Sequence, residues 1–159
     1  MRQNDLMVVS NKCLSLIKGF ESFRPFTYLC QAGIKTIGYG HTLNVKAGDA
    51  CSQYQADIWL REDIKEAEEV IRSEVMIKLT QGQYDALVSF VFNVGPGVKG
   101  VKDGFARLKT GQPSTMLRKI NLNLLDDAAH EFEKWNLVNG AVSSGIVKRR
   151  VAEKALFLS

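Results

Sequence analysis

Long apolar runs are missing from this 159-residue chain. No stretch approaches the roughly 18 apolar residues that a membrane-spanning helix needs. The opening MRQNDLMVVSNKCLSLIKGF breaks its short apolar run with Asn and Lys, so neither a secretory signal nor a membrane anchor is expected there. Cysteine is scarce: 13, 30 and 51 are the only positions. An odd number cannot make a fully paired disulfide framework and none of the spacings suits a metal site, so reduced thiols are expected, with no metal. Charge of one sign is also lacking. Lys and Arg outnumber Asp and Glu by 21 to 17, a net charge of +4, and the basic residues are dispersed apart from KRR at 148–150. That balance gives a mild attraction to polyanions and excludes nucleic acid as the expected partner. Internal repeats and low-complexity tracts are absent. What remains, with 45% apolar and 24% charged residues, is ordinary globular composition, enough for one compact domain or two small lobes sharing a long element.

The chain divides by its punctuation. Ser10 is a good N-cap, and Cys13, Leu14, Leu16 and Ile17 fit a short helix over 10–18 that Gly19 can end, leaving Glu21 just beyond it. From Phe26 to Thr42 strand formers alternate with Gly33, Gly38 and Gly40, which predicts a small antiparallel sheet, followed by loops to about residue 51. CSQYQADIWLREDIKEAEEVIRSEV is the longest helical segment; Ser52 and Gln55 form a capping-box pattern, with Cys51 as an apolar staple against Ala56. Thr80 and Gln83 repeat the pattern before YDALVSFVFNV, and Gly95 is the stop. Apolar residues run almost round this second helix, so it is expected at the centre of a helical lobe. Shorter helices are expected near 99–109, 114–121 and 125–135, then an NGAVSSG loop and a last helix over about 145–158. The expected fold is therefore α+β: residues 10–51 a first helix and small sheet lobe, 52–78 a long connecting helix, 79–159 a helical lobe, with a ligand cleft between the lobes.

Several residues along this order could carry chemistry. Glu21 stands at the seam between helix and sheet, where partial burial turns a carboxyl into a proton donor, although a solvated surface charge is the plainer reading. Cys30 falls in the turn of the hairpin and Thr36 offers a hydroxyl from the following strand; the plainer reading of Cys30 is a half-buried apolar filler. His41 fits a structural hydrogen-bonding group, with Asp63 on the long helix as a candidate partner.

GFESFRPFTYLCQAGIKTIGYGHT resembles the signature of the phage-type lysozymes, the endolysin muramidases, in which E-G-x-R-x-x-A-Y-x-D-x-x-G-x-x-T-I-G-Y-G-H-T is typical. The resemblance continues through LTQGQYDALVSFVFNVG, AAHEFEKWN and GIVKRRVAEKALF, nearly the whole chain. It implies that Glu21 is the general acid, that Thr36 helps hold the attacking water, and that Cys30 stands where the family has its second catalytic carboxylate. Ser22 likewise replaces the glycine that usually follows the acid. Asn93 matches a position facing the glycan groove, with Phe92 and Trp135 as aromatic residues nearby. Cys30 as a thiolate can act as nucleophile, through a glycosyl thioether, or as base for water; an unperturbed thiol is only a few per cent ionised at pH 7, and nearby cationic surface is the expected means of raising that fraction.

The implied activity is hydrolysis of the β-1,4 bond between N-acetylmuramic acid and N-acetylglucosamine in peptidoglycan, by a monomer without cofactor or metal. The enzyme is expected to be held in the host cytoplasm until a holin opens the membrane. Three alternatives keep other chemistry open: a lytic transglycosylase running on Glu21 alone, a Cys30–His41 peptidoglycan amidase, and a wall-binding module without catalysis.

Overall fold

A computed structural model describes residues 1–159. In chain order the elements are α1 (Asn11–Glu21), β1 (Arg24–Leu29), β2 (Lys35–Gly38), α2 (Gln53–Glu74), α3 (Gln81–Val94), α4 (Thr115–Asn121) and α5 (Leu125–Glu131). A single 3-10 turn (Phe132–Lys134), β3 (Leu137–Val138), β4 (Ala141–Val142) and α6 (Ser144–Phe157) complete the chain. Six helices with two two-stranded antiparallel sheets make the α+β class that the sequence predicts. Two compact units can be drawn, residues 17–65 and residues 1–16 with 66–159, and the chain passes from one to the other inside α1 and α2.

In unit 17–65, β1 and β2 form a hairpin in which Tyr28 faces Thr36 and Leu29 faces Lys35. Its connection is a tight turn: Gly33 N–H donates to Cys30 C=O at 2.8 Å and Cys30 N–H to Ile34 C=O at 3.0 Å. Gly33 has φ 74°, the left-handed conformation that closes a three-residue hairpin loop at little steric cost. Gly38 is equally constrained, with φ 66° and Ala56 Cβ only 3.0 Å from where a side chain would begin, so α2 packs directly on the β2 backbone.

In the other unit α3 is the central helix. Tyr84 through Val91 are all buried, and the Thr80–Gln83 capping box and the Gly95 stop are both formed. Phe90 meets Phe105, Phe132 and Trp135 edge-on, with ring centroids 5.3 to 6.3 Å apart. Between α3 and α6, Glu153 is fully buried between two arginines, its carboxylate 3.0 Å from Arg149 Nε and 2.7 Å from Arg150 Nη1.

Three local expectations fail, each for a physical reason. Gly19 does not end α1; the helix runs to Glu21, and Ser22, at φ 60°, makes the left-handed cap with its N–H returned to Lys18 C=O at 3.0 Å. Residues 99–109 form no helix, because Gly97 and Gly104 lie backbone to backbone, so closely that a Cβ on Gly104 would sit 2.1 Å from Gly97 N. NGAVSSG is not a plain loop: Asn139 (φ 50°) and Gly140 (φ 79°) make the turn between β3 and β4.

Candidate active site

Glu21 is the last residue of α1 and is half-buried. Gly40 packs against its carboxylate: a Cβ at Gly40, where φ is 88°, would stand 3.4 Å from Glu21 Oε2. Gly40 therefore leaves the space beside the carboxylate open, an approach visible only in the folded chain.

The Cys30 thiol is held inside the hairpin turn. Hydrogen bonds from the backbone N–H groups of Ile34 and Ala32 bring it below the ordinary thiol value, and desolvation opposes. The charge relief thus comes from turn amides, in place of the cationic surface that the sequence suggests. Thr36 is buried, directly opposite Tyr28 in the ladder, and its Oγ1 donates to Ile34 C=O at 2.9 Å. A hydroxyl has one proton. While that proton goes to Ile34, Thr36 offers lone pairs only, and so can accept from a water beside the sulfur.

Tyr28 joins this group although the sequence reading passed over it. Burial pushes its phenol up, the negative charges of Glu21 and Cys30 add to the rise, and Arg24, whose guanidinium carbon lies 4.3 Å over the ring, opposes. The phenol stays protonated at neutral pH and is a donor within the field of both candidate catalytic groups.

His41 is buried and stacks on Trp59, centroids 4.5 Å apart and planes 5° from parallel. Its Nδ1 lies 2.9 and 3.2 Å from the two carboxylate oxygens of Asp63, which can only accept, so Nδ1 carries the proton. The ring is committed to α2, and no amidase-like pairing with Cys30 is formed.

Of the other two thiols, Cys13 is fully buried, donates to Asp85 C=O at 3.4 Å and is pushed far up by burial. Cys51 is also raised by burial, against a hydrogen bond from the Gly38 N–H. Only Cys30 has its thiolate favoured.

Asn93 and Phe92 belong to the other unit, on α3. Asn93 Oδ1 accepts a short hydrogen bond from Arg150, and the residue lines a cavity of about 380 Å³ together with Lys102, Trp135, Asn136 and Arg150. Phe92 is half-buried and does not line it. No group of His, Cys, Asp and Glu is arranged to hold a metal ion, and no helix is long and apolar enough to cross a membrane.

The family model described as phage lysozyme matches residues 18–153. The chain belongs to the phage lysozyme family. It is accordingly a lysozyme, a glycoside hydrolase. Its sequence is 42% identical over 157 residues to the endolysin of Acyrthosiphon pisum secondary endosymbiont phage 1, covering 96% of this chain and 99% of that one. It is 35% identical to the endolysin of Salmonella phage P22, covering 97% and 100% of the two chains. Among solved structures, a point mutant of P22 lysozyme superimposes with a TM-score of 0.81 at 33% identity, covering 97% of this chain and all of that one. The lysozyme's hairpin turn carries the thiol of Cys30.

Proposed function

We propose that this lysozyme is an endolysin muramidase that hydrolyses the β-1,4 bond between N-acetylmuramic acid and N-acetylglucosamine, with Glu21 as general acid and Cys30 as the base for water. Glu21 gives its proton to the glycosidic oxygen as that bond breaks. A water held between Thr36 Oγ1 and the Cys30 thiolate attacks the anomeric carbon from the other side, and its proton passes to sulfur. Loss of that proton to solvent, and regain of one by Glu21, restore the enzyme. The observation that carries the reading is the place of Cys30 in the tight hairpin turn, where the Ile34 and Ala32 amides draw its thiol below the ordinary value. Donors aimed at sulfur keep it as the thiolate, an acceptor for a water's proton. Thr36, with its proton on Ile34 C=O, supplies the second acceptor that an oriented water needs.

His41, Asp63 and Trp59 hold the β2 end of the hairpin against α2 and so act as supports. Asn93 and Phe92 are assigned to glycan binding. The enzyme acts as a monomer on glycan strands, is stored in the host cytoplasm and reaches the wall after a holin opens the membrane.

The test is product analysis on purified peptidoglycan. Attack by water on the face opposite the leaving group inverts the anomeric centre, so the first-formed reducing ends should be α by NMR; β ends would refute the base role. Products lighter by one water would mean transglycosylation. Glu21→Gln should lose nearly all cleavage, because general acid catalysis is worth about 10²–10⁴-fold; a variant keeping more than about a tenth of the rate removes Glu21 from the role. Cys30→Asp should stay active, Cys30→Ser should lose most activity and Cys30→Ala more. Equal rates for Cys30→Ala and the parent would make the thiol a bystander.

A further inference from the structure

The net charge of this lysozyme is unevenly placed. Residues 96–112 hold Lys99, Lys102, Arg107 and Lys109 against Asp103 alone, so three of the chain's four net positive charges sit in this segment. Its backbone is pinned by its own hydrogen bonds: Val98 N–H to Lys102 C=O at 2.8 Å, Gly100 N–H to Lys109 C=O at 2.8 Å and Gly104 N–H to Arg107 C=O at 2.9 Å. Buried Phe105 and Ala106 anchor it to the unit beneath. The charges are thus presented by a fixed scaffold.

Three of them lie along this turn, and two, Lys99 and Arg107, meet at Gly111. The aliphatic stem of Lys99 crosses it, with Cδ 3.0 Å from where a Cβ would be. Arg107 Nη1 reaches the Gly111 carbonyl at 3.4 Å, and the Lys109 carbonyl accepts from Gly100, beside Lys99. None of the three has a carboxylate at ion-pair distance. Asp103, the one acid in the segment, turns its Oδ1 to the Lys109 backbone N–H at 2.7 Å. At the tip of the same scaffold two valines face outward, Val98 54% and Val101 69% exposed, separated by Lys99 and Gly100.

Unpaired cations around a rigid turn that also exposes aliphatic side chains suit an anionic lipid surface: phosphate headgroups for the cations, the acyl boundary for the valines. A soluble phosphate polymer would use the cations and leave the valines without a role. We infer that residues 98–111 are a docking surface through which this lysozyme adsorbs reversibly to bilayers rich in anionic phospholipid. Attachment is peripheral, since no helix can span the bilayer.

The test is co-sedimentation of the full chain with vesicles of phosphatidylcholine alone or with phosphatidylglycerol added. Binding is expected only with the anionic lipid, falling as salt is raised. Each cation near such a surface is worth about fivefold in partitioning, so Lys99→Gln/Arg107→Gln/Lys109→Gln should lose about a hundredfold. Val101→Asp should also weaken binding. A control of equal net charge, Lys65→Gln/Lys78→Gln/Lys148→Gln, should bind like the parent, with thermal melts and wall hydrolysis confirming that every variant is folded. Equal loss in the control would reduce the effect to net charge and overturn the proposal. So would an unaffected Val101→Asp, or a soluble poly(glycerol phosphate) that competes for the protein as well as vesicles do. Absence of binding by the parent chain would end it outright.

Discussion

Ser22 sits at φ 60°, the left-handed region where a side chain costs roughly 1–2 kcal/mol in an L-residue. Its side chain is exposed, and the hydrogen bond from its N–H to Lys18 C=O, 3.0 Å, belongs to the backbone. Replacing it by glycine therefore removes strain and no packing. Against that gain stands the larger entropy of a glycine in the unfolded chain, about 0.5–1 kcal/mol. The net expectation for Ser22→Gly is a stabilisation of about 0.5–1 kcal/mol, which in a chain of this length raises Tm by about 1–4 °C. Differential scanning calorimetry with urea denaturation as a check reads it directly. Ser22→Val should move the opposite way, because a β-branched side chain tolerates this conformation least. Catalysis should survive the glycine change, since Glu21 immediately before it keeps its backbone path. A Tm that stays level or drops in Ser22→Gly would show that the helix end is not strained at Ser22, and the account of how α1 delivers Glu21 would fail with it.

Leu87 is fully buried on α3, and Leu87→Ala should cost about 2–5 kcal/mol in urea denaturation, the range for an aliphatic core truncation. Glu153→Gln would leave the buried Arg150 guanidinium without the carboxylate 2.7 Å from its Nη1, so a loss of about 3–5 kcal/mol is expected, larger than for any exposed glutamate. Because its turn amides favour the thiolate, Cys30 should react with iodoacetamide with a midpoint below the ordinary thiol value of about 8.5, well ahead of Cys13 and Cys51, whose thiols burial raises. A lowered value means more thiolate at any given pH beneath the midpoint, so the limb of the pH–rate profile set by residue 30 should lie on the acidic side of that value. In Cys30→Asp it should move further down, toward about 4.

Much of this protein could be read from neighbouring residues alone. The Thr80–Gln83 box and the Gly95 stop are local devices, satisfied within one turn of helix, and they formed where their spacing put them. The nearly all-round apolar pattern of YDALVSFVF needed only the rule that such a helix is buried. The Cys30 turn was legible in the same way, because Gly33 closes a short loop whatever surrounds it. Two local signals were present and passed over: Asn139–Gly140, which is a hairpin turn, and the five glycines with Pro96 between 95 and 111, which preclude a helix there.

Other features belong to distant parts of the chain meeting. Gly19 could end a helix, and whether it does depends on which residue takes the left-handed cap, a choice between near-equal local options made at Ser22. The closeness of Gly40 to Glu21, of Gly38 to Ala56 and of Gly97 to Gly104 appears in no spacing rule, since each is an approach between segments. The field acting on Cys30 is the clearest case. Sequence named the thiol and the threonine, but a pKa is set by the atoms within a few ångströms of the sulfur, and only the folded turn fixes that they are amide N–H groups and not cations. Residue types and local spacing are carried by the chain in any conformation; distances, and the electrostatics that fall off with them, exist only once it has folded.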